Sequence, residues 1–140
     1  MKNYAFVDMH IHTALSDEED CILSVKETFD KAIEEKERYN LEGKMFLSIC
    51  DHNSSLSAIE AKEILKDPKY SEQIDFINGI EFTTNMRDLA SESSQKIFTR
   101  CHMLAYNYDE TEPNLLNYSK LTHKNFGECN LGQQIIALRD

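Results

Sequence analysis

Residues 4–12 read YAFVDMHIH: a short apolar run, Tyr4 to Val7, passes directly into Asp8-Met9-His10-Ile11-His12. The strand-forming residues of that run predict a β-strand. An H-x-H pair at a strand end can aim both imidazoles the same way, because side chains alternate with period two. Outward from this stretch, Met45 to Cys50 predicts a second strand that runs into Asp51-His52-Asn53. Ile74 to Phe82 predicts a third, with Gly79-Ile80-Glu81 near its end, and Ile97 to Tyr106 contains a fourth that carries Cys101-His102-Met103.

Helices are predicted between the strands. Over 24–39, Ser24 is a plausible N-cap with Glu27 at capping-box spacing, and Val25, Phe29, Ala32 and Ile33 share one face. Asn40 and Gly43 end that helix. Ser57 to Lys66 predicts a second helix, stopped by Pro68. Leu115 to Leu121 and Leu131 to Leu138 predict two more, whereas 84–99 is polar, lacks periodicity and reads as a loop. The order β-α-β-α-β-loop-β-α-α predicts an α/β fold with a mostly parallel sheet. Ligands in such sheets bind beyond the C-terminal ends of the strands.

The chain has 140 residues, 41% of them hydrophobic and 29% charged, with a formal charge of −10. These values fit one globular domain and exclude a disordered chain. No apolar run approaches the roughly 18–20 residues that a membrane span needs. The start, MKNYAFVDMHIH, lacks the apolar segment of a secretory signal, so a cytoplasmic protein with reduced thiols is expected. Cys21, Cys50, Cys101 and Cys129 form no C-x-x-C pair, which argues against a zinc ribbon or a thioredoxin-like motif. The acidic balance weighs against a broad nucleic-acid groove.

Each predicted strand therefore delivers a histidine or a glutamate. Imidazole and carboxylate are the ligand set for zinc, manganese and iron. Asp8, two residues before His10, and Asp51, beside His52, could each orient an imidazole by accepting its second N–H. Taken singly, each signal has a plainer reading. An isolated H-x-H is weak evidence, an Asp-His dipeptide is commonly a turn, and a histidine in an apolar stretch is commonly a satisfied core residue. Convergence of four strands is what favours a metal site.

The stretches DMHIHTALSD (8–17), ICDHNS (49–54), NGIEFTT (78–84) and CHMLAYNYD (101–109) together resemble the PHP family, named for polymerase and histidinol phosphatase. The resemblance implies a distorted (β/α)7 barrel holding up to three divalent metals and hydrolysing phosphoesters. It implies that His10, His12, Asp17, His52, Glu81 and His102 are metal ligands, with Glu81 bridging two metals and Asp17 ligating or orienting the attacking water. Glu81 and Asp17 are then the catalytic pair. The chain departs from the family pattern at Glu18, where glycine is usual, and it lacks the later histidine and D-x-H ligands; His123 reads as a surface residue.

A barrel of this kind needs about 200–250 residues. The expectation is thus a single PHP-like domain over 1–140, incomplete at its C-terminus: a partial, distorted (β/α) barrel-like sheet corresponding to the first half of the barrel. Self-association could close it. One or two divalent ions (Zn, Mn or Fe) are expected, and three in a complete protein. The expected substrate is a nucleotide, another small phosphate ester or a nucleic-acid end, with no membrane partner. Arg87, Lys96 and Arg100 could supply positive charge to a phosphate, although solvated surface charge is their plainer reading; the stretch 84–99 reads as a lid or an insertion. The acidic run Asp17 to Asp20 reads as solvated surface except for Asp17. Two other functions compete: a catalytically incomplete metal-binding interaction or regulatory module, and an amidohydrolase-like C–N hydrolase, which Asp-His-Asn and Gly-x-Glu fit less well.

Overall fold

The computed structural model describes residues 4–18, 20–87 and 98–111, with no side-chain description for 84–87 and 98–101. Strand β1 (Tyr4–Ile11), helix α1 (Val25–Arg38), strand β2 (Lys44–Ile49), helix α2 (Leu56–Ile64), the short helix α3 (Pro68–Ser71) and strands β3 (Ile74–Phe76), β4 (Gly79–Arg87) and β5 (Phe98–Tyr106) follow in order. The helices expected at 115–121 and 131–138, and His123, lie outside the described residues.

Strands β1, β2 and β3 form a parallel sheet in that order, with β2 in the centre. Met45, Leu47 and Ile49, which alternate onto one face of β2, are all buried. Helix α1 covers this sheet. Ser24 and Glu27 form the reciprocal capping box, and Val25, Phe29 and Ile33 bury an i, i+4, i+8 stripe. They meet Met45, Leu47, Ile49, Ala61, Tyr70 and Ile74 in one core. Asn40 then takes a left-handed conformation (φ 49°) that ends the helix.

Four expectations change. The predicted third strand is two: β3 pairs with β2, the chain breaks at Ile77 and Asn78, and β4 begins a second sheet. Strand β4 pairs with β5 antiparallel from Gly79–Tyr106 to Arg87–Phe98, so the sheet is not parallel throughout, and no closed barrel is present among the described residues. Part of the expected loop, 84–87 and 98–99, is strand. Pro68 does not only stop the preceding helix. It opens α3, with Asp67 as the N-cap accepting from Lys69 N–H.

The break before β4 is pinned. The Asn78 side-chain amide donates to the Tyr108 carbonyl and to Glu110 (3.0 Å), Lys62 pairs with Glu110, and Tyr108 O–H donates to the Gly79 carbonyl (2.8 Å). Gly79 lies so close to β2 that a Cβ there would stand 2.5 Å from Cys50 Sγ and 2.9 Å from the Ile49 carbonyl. A side chain is excluded by that approach. The two sheets are then joined, among the described residues, by a single parallel bridge between His52 and Glu81. Asn53 N–H donates to the Glu81 carbonyl (2.8 Å) and Glu81 N–H to the Asp51 carbonyl (3.2 Å). None of the described helices is long and apolar enough to cross a membrane.

Candidate metal centre

The register of β1 against β2 slips between Asp8 and Ile11, where three steps on β1 match two on β2. A bulge of this kind frees backbone groups and re-aims side chains. Here the freed groups find partners. Asp8 accepts the His10 backbone N–H (3.1 Å), and the Met9 carbonyl accepts from Tyr106 O–H (2.8 Å) and from the Cys50 thiol. His10, within the bulge, and His12, just past it, turn the same way, with their Nε2 atoms 3.0 Å apart.

His52 follows β2 directly. Strand β4 supplies Glu81, and β5 supplies His102. Thr83 is the cross-strand partner of His102 and lies two residues from Glu81, so all three share one face of the β4–β5 pair.

Glu81 is the hub of the cluster. Its Oε2 lies 2.6 Å from His10 Nε2, 3.3 Å from His12 Nε2 and 3.9 Å from His52 Nε2, while Oε1 is hydrogen-bonded to His102 Nδ1. Among the described residues, three groups of closely spaced ligand-type atoms result: His10–His12–Glu81, His52–Glu81–His102 and His12–Asp20–His52. The floor, Glu81 and His52, is buried at 5% and 6% side-chain exposure, whereas His10 and His102 form an open rim at 44% and 40%. Burial pushes the Glu81 carboxyl upward. Hydrogen bonds from His10 and His102, with the charges of His52 and His10, outweigh it and hold the group below the usual glutamate value. Burial likewise lowers His52 below 6.5, against the opposing charges of Glu81 and Glu18. An ionised carboxylate and a neutral imidazole are the forms that bind metals.

The structure brings together His10, His12, His52, Glu81 and His102 as the sequence motifs imply. Asp17 is in none of the three groups. Its backbone N–H donates to the His52 carbonyl (3.1 Å), while the carboxylate that meets the cluster is that of Asp20, whose Oδ2 lies 3.1 Å from His12 Nδ1 and 3.5 Å from His52 Nε2. Asp20 belongs to the acidic run that composition alone presents as solvated surface. Among the described residues, neither Asp8 nor Asp51 is hydrogen-bonded to an imidazole. Asp8 takes the backbone N–H at the bulge, and buried Asp51 accepts from Thr13 N–H (2.5 Å) and Thr13 O–H (2.6 Å), fixing the turn after β1. Lys96 lies outside the described residues, and Arg87 and Arg100 are described only as backbone of β4 and β5. Cys50 is buried, and burial raises its thiol; Cys21 is half-buried, and neither is disulfide-bonded.

Sequence reading also passed over Asn53 and Thr83. Asn53, left-handed at φ 53°, accepts the Thr83 backbone N–H through its side-chain oxygen (3.0 Å). The signal for Thr83 was its spacing of two from Glu81.

No protein-family model matches the chain, and no curated protein matches it in sequence. Among solved structures, the fold is similar to that of a chain from Bifidobacterium adolescentis described as a "putative metal-dependent phosphoesterase". The TM-score is 0.51 at 21% identity, over 87% of this chain and 34% of that one. The likeness is one of fold, and this chain spans about a third of that chain's length. The PHP resemblance itself rests on the sequence motifs.

Proposed function

We propose that the chain is a PHP-like, metal-dependent phosphoesterase domain acting on a nucleotide or another small phosphate ester. One observation carries the reading: four imidazoles from three separate segments converge on the two oxygens of a single buried carboxylate, Glu81. Burying a carboxylate among imidazoles is costly unless it is paired or holds a cation. The donor set, nitrogen and oxygen without thiolate, suits a zinc, manganese or iron dication.

Such an ion, when bound, supplies Lewis acidity: it polarises a phosphoryl oxygen and lowers the pKa of water to about 7. The residues of the chain do the rest. His10, His12 and Glu81 would hold one ion, and His52 and His102 would share Glu81 for a second. Asp20 Oδ2, 3.1 Å from His12 Nδ1 and 3.5 Å from His52 Nε2, would add a carboxylate beside those two rings. The role of orienting water at Asp17 rests on the family resemblance, and the backbone ties this residue to His52. The exposed rim at His10 and His102 leaves a side open to an anionic substrate. The similar phosphoesterase fold supports this reading without identifying the substrate or the metal.

The test is metal content per chain, followed by hydrolysis of p-nitrophenyl phosphate and of a nucleoside bisphosphate with added Mn²⁺. The expected result is at least one ion per chain, lost in the His10→Ala/His52→Ala double variant, and metal-dependent release of phosphate. Bound metal with no cleavage of any phosphoester would favour the interaction-module reading. No bound metal would overturn both.

A further inference from the structure

We propose that Thr83 is a positioning residue which, with Glu18, fixes the His52 ring with its proton on Nδ1 and its Nε2 lone pair turned to the cluster. The inference deepens the metal-centre reading, because its use lies in presenting a nitrogen lone pair to a cation.

Two contacts define the relay. Thr83 Oγ1 lies 2.8 Å from Glu18 Oε1 and 3.1 Å from His52 Nδ1. On the other side of the ring, His52 Nε2 lies 3.5 Å from Asp20 Oδ2 and 3.9 Å from both Glu81 Oε2 and Glu18 Oε2, all beyond the 3.1 Å of the Thr83 contact. Thr83 is 8% exposed and His52 5% exposed, so water competes little for these bonds.

A hydroxyl has one proton to donate and lone pairs with which to accept. An ionised carboxylate only accepts. If Thr83 gave its proton to His52 Nδ1, its oxygen and that of Glu18 would face each other at 2.8 Å as two acceptors, which is repulsive. The hydroxyl proton therefore goes to Glu18. Thr83 Oγ1 then accepts at His52, and the proton it accepts is the one on Nδ1. Neutral imidazole carries a single N–H, so Nε2 is left bare.

The surrounding backbone holds this arrangement. Thr83 N–H donates to Asn53 Oδ1 (3.0 Å). The turn that carries Glu18 is tied to His52 twice, by His52 N–H to Ser16 Oγ (3.2 Å) and by Asp17 N–H to the His52 carbonyl (3.1 Å). Glu18 is the residue at which the chain departs from the PHP pattern, and the relay gives that departure a physical role.

The experiment uses metal-free, ¹⁵N-histidine-labelled protein at a pH where His52 is neutral. Two-bond ¹H–¹⁵N correlations, assigned by comparison with His52→Gln, report which ring nitrogen carries the proton. Expected is Nδ1–H in the parent protein, loss of that preference in Thr83→Val and its return in Thr83→Ser. The Kd for Zn²⁺ should rise about 10–100-fold in Thr83→Val, the usual cost of losing an outer partner of a ligand, and recover in Thr83→Ser. A parent protein with the proton on Nε2, or an unchanged tautomer in folded Thr83→Val, would overturn the proposal. The parent measurement decides even if the valine variant fails to fold. Nδ1–H in the parent together with no Zn²⁺ binding would uphold the relay and sink the metal reading.

Discussion

His52 and Glu81 face each other across one parallel bridge, the only ladder contact between the end of β2 and the start of β4 among the described residues. Two backbone hydrogen bonds flank it. The most buried imidazole and the buried carboxylate of the cluster are therefore placed by main chain, and their juxtaposition does not depend on side-chain flexibility.

Replacement of Glu81 by Gln should reduce metal affinity more than about 100-fold, beyond the usual effect of an outer-shell change. It should also alter the acid limb of stability in the metal-free protein. Glu81 titrates below its unfolded value of 4.5, so its contribution is fully present above pH 4.5 and disappears as pH falls through the lowered folded value. Urea midpoints against pH should show a flatter acid limb for Glu81→Gln than for the parent. Identical limbs would contradict the assignment.

His52 should titrate below 6.5 in the metal-free protein, because burial disfavours its charged form. The unfolded chain then takes up the proton more readily, and stability declines as pH drops below 6.5 toward the folded midpoint. An NMR midpoint at or above 6.5 would refute this.

Gly79→Ala should destabilise the fold by about 1–3 kcal/mol, the usual cost of overpacking, since the new methyl would meet Cys50 Sγ and the Ile49 carbonyl. Relief by shifting β4 would also move Glu81. A fall in both the denaturation midpoint and Zn²⁺ affinity is expected, whereas loss of stability with unchanged affinity would place the strain away from the bridge.

Two changes at α1 separate packing from capping. Phe29→Ala, fully buried, should cost about 3–5 kcal/mol. Ser24→Ala, which removes one half of an exposed capping box, should cost about 1 kcal/mol. Chemical denaturation of both variants should reproduce that ratio, and a near-equal loss would show that α1 is not held mainly by its apolar stripe.

The sequence made His10, His12, His52, Glu81 and His102 legible because rare residue types stand at or beside predicted strands. Helix α1 was legible from its cap and its stripe. The break between β3 and β4 was not, because Ile74 to Phe82 is apolar on both sides of Ile77 and Asn78, and the break is made by distant partners, Tyr108 and Glu110. Antiparallel pairing of β4 with β5 was hidden for a related reason: strand direction follows from connections, and 84–99 gives no turn signal. The roles of Asp8 and Asp51 turn on a one-residue slip in β1 and on a hydroxyl 38 positions away. Asp20 and Glu18 lie in a run of like charges, where composition cannot single out the members that fold inward.

Glu81 is shared between two of the three ligand groups. Were ions to bind on both its sides, their uptake would be interdependent: once a first dication had drawn on this carboxylate, a second would arrive to a weaker field. Saturation should proceed in separated steps, and the degree of loading would then follow the surrounding ion concentration.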